Sequence, residues 1–154
     1  MVYKYSFQEF DKQTMARSSG TNLGVSLKKT VETARAIQGK KVSTVIDYLE
    51  KVMDKKAVVP YRKYRAEMAH KRGKGIDTGG YPVHVAQELL RLVKAAEKNA
   101  SEQEISGTLH LLSVSPRKGN TRYHHGRYSG RAQKSTNIEV IVGVKAKKWL
   151  REKY

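Results

Sequence analysis

Histidine is the side chain best suited to moving a proton or holding a metal near neutral pH, and the chain has five. His124 and His125 are adjacent, so on an extended backbone they point to opposite faces and chelate one ion poorly. His70, His84 and His110 stand alone, without a patterned carboxylate or a second histidine nearby, and a solvated or structural role is the reading for all of them. The glycine-rich stretch Gly73-Lys74-Gly75-Ile76-Asp77-Thr78-Gly79-Gly80 fits neither the P-loop spacing nor the dinucleotide spacing, and no strand precedes it. It reads as a loop. The carboxylates are scattered, with Glu32, Asp47, Glu50, Glu88 and Glu97 on the polar faces of helices rather than paired for acid–base or two-metal work. No cysteine is present, which removes disulfides, thiolate chemistry and Cys-based zinc sites together. No catalytic residue, metal ligand or cofactor is expected, and the chain does not read as an enzyme.

What remains is cationic chemistry. The chain has 154 residues, with 31 Lys and Arg against 14 Asp and Glu, a formal net charge of +17. A charge that large repels itself unless a polyanion neutralises it, and nucleic acid is the expected polyanion. An anionic membrane is the competing one. No apolar run approaches the roughly 20 residues that span a bilayer, the amphipathic helices have core-like faces, and the first residues lack the apolar stretch of a secretory signal. A cytoplasmic location is expected by default.

The most distinctive stretch lies between Ile105 and Ile138, which holds no acidic residue while Arg117, Lys118, Arg122, Arg127, Arg131 and Lys134 punctuate a sequence rich in Gly, Ser, Tyr and His. It is flanked by two strand-like runs, 108–114 and 138–144, the latter with β-branched residues at alternate positions. The pattern predicts an extended β-hairpin over 105–144 with its tip near 122–130, far longer than the usual two- to five-residue connection. With arms of about 15 residues, its reach would be up to about 50 Å at about 3.3 Å per residue.

The elements that must carry this hairpin are fewer. Tyr3, Tyr5 and Phe7 alternate with polar residues and suggest a short amino-terminal strand, a third partner for the hairpin strands. A first helix is expected from Ser26 as N-cap through Leu27, Val31, Ala34 and Ile37, stopping at Gly39. A second has Val42, Val45, Ile46, Leu49, Val52 and Met53 on one stripe. A third starts at Pro82 and carries Ala86, Leu89, Leu90, Val93 and Ala96 toward Asn99. Between Lys55 and Tyr81 the periodicity is lost and cations gather around Tyr61 and Tyr64, as in an excursion that folds on RNA rather than on protein. The expected class is α+β: a single domain over 1–154, a small antiparallel three-stranded sheet with three helices packed on one face, and a long protruding hairpin.

A charge run is usually a solvated face, and on the first helix (Lys28, Lys29, Arg35) and the third (Arg91, Lys94, Lys98) the two readings weigh equally. In the excursion and the hairpin few acids answer the cations, and Tyr61, Tyr64, Tyr123 and Tyr128 add stacking surfaces. The RNA-binding candidates are Arg17, Lys28, Lys29, Arg62, Lys63, Tyr64, Arg65, Lys71, Arg72, Lys74, Arg117, Lys118, Arg131 and Lys134.

Several stretches resemble one family. Residues 16–23, 28–40, Val59-Pro60-Tyr61-Arg62, 92–100, Gly126-Arg127 and 135–142 are together similar to the large-subunit ribosomal protein family numbered twenty-two, in order along nearly the whole chain. The excursion from Lys55 to Tyr81 resembles the archaeal and eukaryotic branch. The resemblance implies a compact body on large-subunit ribosomal RNA beside neighbouring ribosomal proteins, and a hairpin whose tip lines the nascent-polypeptide exit tunnel. Carried onto this chain, the tip is Arg122, Tyr123, His124, His125, Gly126, Arg127 and Tyr128. It implies no enzymatic activity. The rival reading is an architectural DNA-binding protein with a basic β-arm, for which Ser115-Pro116-Arg117-Lys118 would suit a groove; such proteins are usually symmetric dimers with two arms.

Overall fold

In a computed structural model, residues 5–73 and 75–144 are described. The three expected helices form close to their expected limits: α1 (Leu27–Ile37), α2 (Val42–Met53) and α3 (Val83–Glu102). Ser26 is the N-cap of α1 by backbone position, and Gly39, at φ +80°, takes the left-handed conformation just past its end. The Gly39 N–H then donates to the Leu111 carbonyl at 2.8 Å, so the turn out of α1 is hydrogen-bonded to the sheet. In α2 the predicted stripe is the core face, with Val45, Leu49 and Val52 fully buried. Helix α3 runs past Asn99 to Glu102, because Ala96 and Ala100 remain buried one turn further on.

The main sheet has three antiparallel strands in the order β1 (Met15–Leu23), β7 (Thr136–Val144), β4 (Leu109–Lys118). The expected class is what forms, an α+β domain of three helices and a three-stranded antiparallel sheet. The third strand, however, is not the aromatic segment at the amino terminus. It is the polar stretch 16–22, whose alternation of small residues buries Ala16, Ser18 and Gly20 against α3. Small size decides this: a Cβ at Gly20 would lie 3.3 Å from the Leu92 side chain, and the Ser18 hydroxyl donates to the Leu92 carbonyl at 2.8 Å. Tyr3 lies outside the described residues. Tyr5 and Phe7 are not in a strand; the segment around them crosses the opposite side of the sheet, where the Ser6 N–H and hydroxyl both donate to Glu139, the N–H at 2.9 Å.

The core lies between the sheet and the helices, with α1 and α3 packed on the strands and α2 on α3. Strand β7, the central one, is buried on both sides from Ile138 to Gly143. β4 and β7 pair from Leu109↔Val144 to Lys118↔Thr136, and β1 flanks β7 along the same length, to Leu23↔Thr136. Most of each hairpin arm is therefore body sheet, which shortens the free reach expected from arms of fifteen residues. Beyond the sheet, residues 119–135 carry a short ladder of β5 (Arg122–Tyr123) and β6 (Ala132–Gln133), closed by a 3-10 turn at Gly126–Tyr128.

The excursion is also tied to the body. β2 (Val59–Pro60) pairs with β3 (Gly79–Gly80), Val59 and Tyr61 are buried, and the Thr78 hydroxyl donates to the Tyr61 carbonyl at 2.9 Å. Its root folds on protein, contrary to the expectation of a segment folded on RNA alone. The apolar residues Val58, Val59 and Tyr61 carry that root, and their short spacing left no readable period.

Candidate RNA interface

Helix α1 stands at the centre of the cationic surface. Lys28, Lys29 and Arg35 are exposed along it, and three grooves join it to the other basic segments. One groove brings Arg35 beside Lys40 and Arg62; the second brings it beside Pro116 and Arg117; the third brings Lys29 beside His84 and Lys134. Cations from α1, the excursion and the hairpin, distant in sequence, are thus parts of one surface.

Glu32 links α1 to the excursion. The sequence places it on a polar helix face, yet only 1 % of it is exposed. Its Oε1 accepts the backbone N–H groups of Lys63 and Tyr64 at 2.8 and 2.7 Å, and Oε2 accepts that of Arg62 at 3.0 Å. Burial works against the ionised carboxylate, but those three N–H groups and the nearby Arg35 charge outweigh it and hold the carboxyl below its ordinary range. The carboxylate takes the backbone donors, so the side chains of Arg62, Lys63 and Arg65 are left outward and exposed. The missed signal was the position of Glu32 itself, between the partly buried Val31 and the buried Thr33, which only the packing of the excursion resolves.

The remaining candidates divide clearly. Arg72, Lys118 and Arg131 are exposed, as are the tip residues Arg122, Tyr123, His124, His125, Gly126, Arg127 and Tyr128. Tyr123 and Tyr128 are 59 % and 54 % exposed, and Arg131 stands 5.2 Å over the Tyr128 ring, which leaves Tyr123 as the open large aromatic surface among the described residues. Tyr64 is half-buried, with Lys28 and Lys63 over its ring. Lys71 is half-buried over Tyr81, and Lys74 lies outside the described residues. Tyr61 is only 5 % exposed and offers no face to a base, correcting its reading as a stacking surface. The Arg17 guanidinium sits 4.2 Å from the Tyr5 ring and 4.6 Å from the Phe10 ring, holding the amino-terminal segment to the sheet. His70 is not alone: its Nδ1 is 2.8 Å from Asp77 Oδ1, across the narrow end of the excursion where residues 70 and 78 bridge.

Ion pairs do occur elsewhere, on α3 and just past the end of α2. Lys94 pairs with Glu50 at 3.3 Å, Arg91 with Glu88 at 3.0 Å, and Lys56 with Asp54 at 3.0 Å. Arg91 and Lys94 on the third helix are thus charge-balanced, whereas Lys98 is exposed without an ion pair among the described residues. Among the described residues no carboxylate lies within ion-pairing distance of Lys28, Lys29, Arg35, Arg62, Arg117 or Lys134.

A base of the hairpin was also missed. Asn22, at φ +53°, gives its N–H to Asn137 Oδ1 at 2.7 Å and accepts at its own Oδ1 the Asn120 N–H at 3.2 Å and the Ser135 hydroxyl at 3.1 Å. No group of three or more His, Cys, Asp or Glu able to hold a metal occurs among the described residues, and no helix among them is long and apolar enough to cross a membrane.

The profile of the family described as Ribosomal protein L22p/L17e matches residues 18–143. Proteins named large ribosomal subunit protein uL22 are similar to the chain: one from Methanococcus aeolicus is 33 % identical over 87 % of this chain and 92 % of its own length. Another from Ignicoccus hospitalis is 33 % identical over 91 % and 94 %, and one from Aspergillus fumigatus is 36 % identical over 90 % and 76 %. A domain built around cations without acidic partners, matched across nearly its whole length by archaeal and fungal relatives, belongs to the L22p/L17e family of ribosomal proteins, of archaeal and eukaryotic type.

Proposed function

We propose that this chain is a structural component of the large ribosomal subunit that binds its ribosomal RNA through the surface centred on α1, and that the tip at 122–128 lines the nascent-polypeptide exit tunnel. The observation that carries the reading is the asymmetry of charge. Among the described residues, Arg91 and Lys94 on α3 pair with Glu88 and Glu50, whereas no carboxylate lies within ion-pairing distance of Lys28, Lys29 and Arg35 on α1, of Arg62, Lys63 and Arg65 in the excursion, or of Arg117, Lys118, Arg122, Arg127, Arg131 and Lys134 in the hairpin. Such a surface is stable against self-repulsion when phosphates lie on it.

The hairpin suits a second task. Its arms are held in the body sheet, and residues 120–132 are exposed, with Arg122, Arg127 and Arg131 and no carboxylate among them. A segment so poor in apolar contacts needs a surrounding partner to supply its order. Ribosomal RNA around the arms and a nascent chain at the tip supply it, with neighbouring ribosomal proteins and a cytoplasmic ribosome as the setting.

Sucrose-gradient fractionation tests the reading. Cosedimentation with large subunits after a high-salt wash is the expected result. Protein that stays at the top of the gradient, or that binds duplex DNA as tightly as ribosomal RNA, overturns it.

A further inference from the structure

Two of the grooves on α1 share lining residues. The larger, about 470 Å³, is lined by Arg35, Gln38, Lys40, Tyr48, Pro60 and Arg62, with Glu32 at its wall. The second, about 370 Å³, is lined by Arg35 and Gln38 again and continues to Ser115, Pro116 and Arg117. Arg35 and Gln38 therefore stand between the two grooves on the C-terminal half of α1, one groove at the root of the excursion and the other at the arm of the hairpin.

We propose that these two grooves act together as one channel, which holds a single strand of RNA by its phosphodiester backbone. The proposal deepens the RNA-binding reading above and rests on it.

Charge comes first. Arg35, Lys40, Arg62 and Arg117 are exposed around the channel, and the one carboxylate at its wall, Glu32, is taken up by the three backbone N–H groups of residues 62–64. The channel's only acid is thus turned away from any ligand while its cations remain exposed. Guanidinium groups match phosphate oxygens in geometry as well as charge.

The lining also says which part of a strand is recognised. Tyr48 is the one aromatic residue in the channel, but Lys40 lies 5.0 Å from its ring centroid and its hydroxyl donates to the Val58 carbonyl at 2.9 Å. No ring is left open for a base to stack upon, so the contacts are to phosphate and sugar and carry little sequence preference. The walls, α1 on one side and Pro60 with Arg62 on the other, form a trough rather than a flat basic patch, which favours a strand lying in it over a duplex lying across it. An acidic segment of a neighbouring protein is the competing occupant.

The absence of native cysteine makes a direct test simple. A full-length Gln38→Cys protein carrying an iron chelate that generates hydroxyl radicals is bound to large-subunit ribosomal RNA, with Gly130→Cys as the comparison probe. The expected result is a confined set of strand cleavages from position 38, in unpaired RNA, distinct from those of position 130. In parallel, Arg35→Ala with Lys40→Ala should weaken RNA binding about tenfold and make the salt dependence shallower by about 1.4, two contacts at about 0.7 each for a single strand. Its melting temperature should stay near that of the parent.

Cleavage absent at position 38 while position 130 cuts, or unchanged affinity and slope in the double variant while Arg62→Ala, Lys63→Ala and Arg65→Ala weaken binding, would overturn the channel and leave the RNA reading standing. Radical damage confined to a neighbouring protein in assembled subunits would likewise overturn it in favour of an acidic protein segment. A parent protein that binds no ribosomal RNA would end both.

Discussion

Asn137 Oδ1 accepts the backbone N–H of Asn22 at 2.7 Å, and through it the end of β1 is fixed to the strand that leaves the hairpin. The same Asn22 adopts φ +53°, in the left-handed region that Asn tolerates better than most residues, at a shift in the β1–β7 register. Its side-chain carbonyl then reaches Asn120 and Ser135 on the two arms. One residue of β1 thus sets where the free part of the hairpin begins.

Asn22→Gly keeps the backbone conformation and removes the side-chain acceptor. It should cost about 1 to 2 kcal/mol of stability, for two hydrogen bonds at the usual net value of about 1 kcal/mol each, and raise amide exchange at Asn120 without touching the helices. Exchange measured by NMR at residues 119–135 checks this. Unaltered protection at Asn120 would remove Asn22 from its role as the hairpin's base.

Glu32 makes a pH-dependent prediction. Its carboxyl is held below the ordinary value because the ionised form accepts three backbone N–H groups, so the stabilisation is fully present above the unfolded-state pKa of about 4.5. It is lost as pH falls through the lower folded value. Amide protons of Arg62, Lys63 and Tyr64 should be protected at pH 6 and exchange progressively faster below about pH 4.5, relative to core amides corrected for intrinsic rates. Glu32→Gln should remove this pH dependence, because a carboxamide does not titrate there and presents an NH2 to one of the backbone donors. An identical acid profile in the variant would show that another group controls the excursion's attachment.

Gly79 closes the root of the excursion by its lack of a side chain. A Cβ there would lie 2.8 Å from the Val59 carbonyl oxygen, a backbone atom across the β2–β3 ladder that cannot step aside. Gly79→Ala should cost about 1 to 3 kcal/mol and open the ladder. Limited proteolysis near residues 62–77 is the measurement, with faster cleavage expected. Gly75→Ala is the comparison, since nothing stands within 4 Å of its Cβ, although its φ of +74° adds its own local strain.

The helices were legible because their apolar stripes are long and regular: Val45, Leu49 and Val52 fall one turn apart, and all are buried. β1 was not, because its inward residues Ala16, Ser18 and Gly20 are small and two of them are polar or have no side chain, so the strand lacks the β-branched alternation by which strands are read. The aromatic alternation of Tyr5 and Phe7 competed with it and misled. The acid-free hairpin sequence was plain, but how much of it belongs to the sheet depends on β1, a partner more than a hundred residues away in sequence. Among the candidate binding residues, exposure of Arg62, Lys63 and Arg65 follows from charge alone. The burial of Glu32 does not, since a carboxylate is taken inside only where donors await it, and those donors come from another segment.

The β5–β6 ladder defines how the tunnel role of the tip can be separated from RNA anchoring. Tyr123 pairs with Ala132, so residues 124–131 form the loop between them. Replacing that loop by Asn-Gly joins the two strands through a two-residue turn that suits their right-handed twist and preserves the register. Arg117, Lys118 and Lys134 remain, together with the Asn22 cluster and the whole surface on α1, while His124, His125, Arg127, Tyr128 and Arg131 are lost. The shortened chain should incorporate into large subunits nearly as well as the parent, because the deleted loop contributes no contact to the core and few of the cations. Translation should nonetheless change: with fewer positive charges facing the nascent chain, pausing on acidic segments should diminish relative to neutral ones of matched length. Subunit incorporation and pausing on matched reporter chains measure the two effects separately. Failure to incorporate would make the loop an assembly anchor; incorporation with unaltered pausing on every reporter would refute the tunnel-lining role given to these residues.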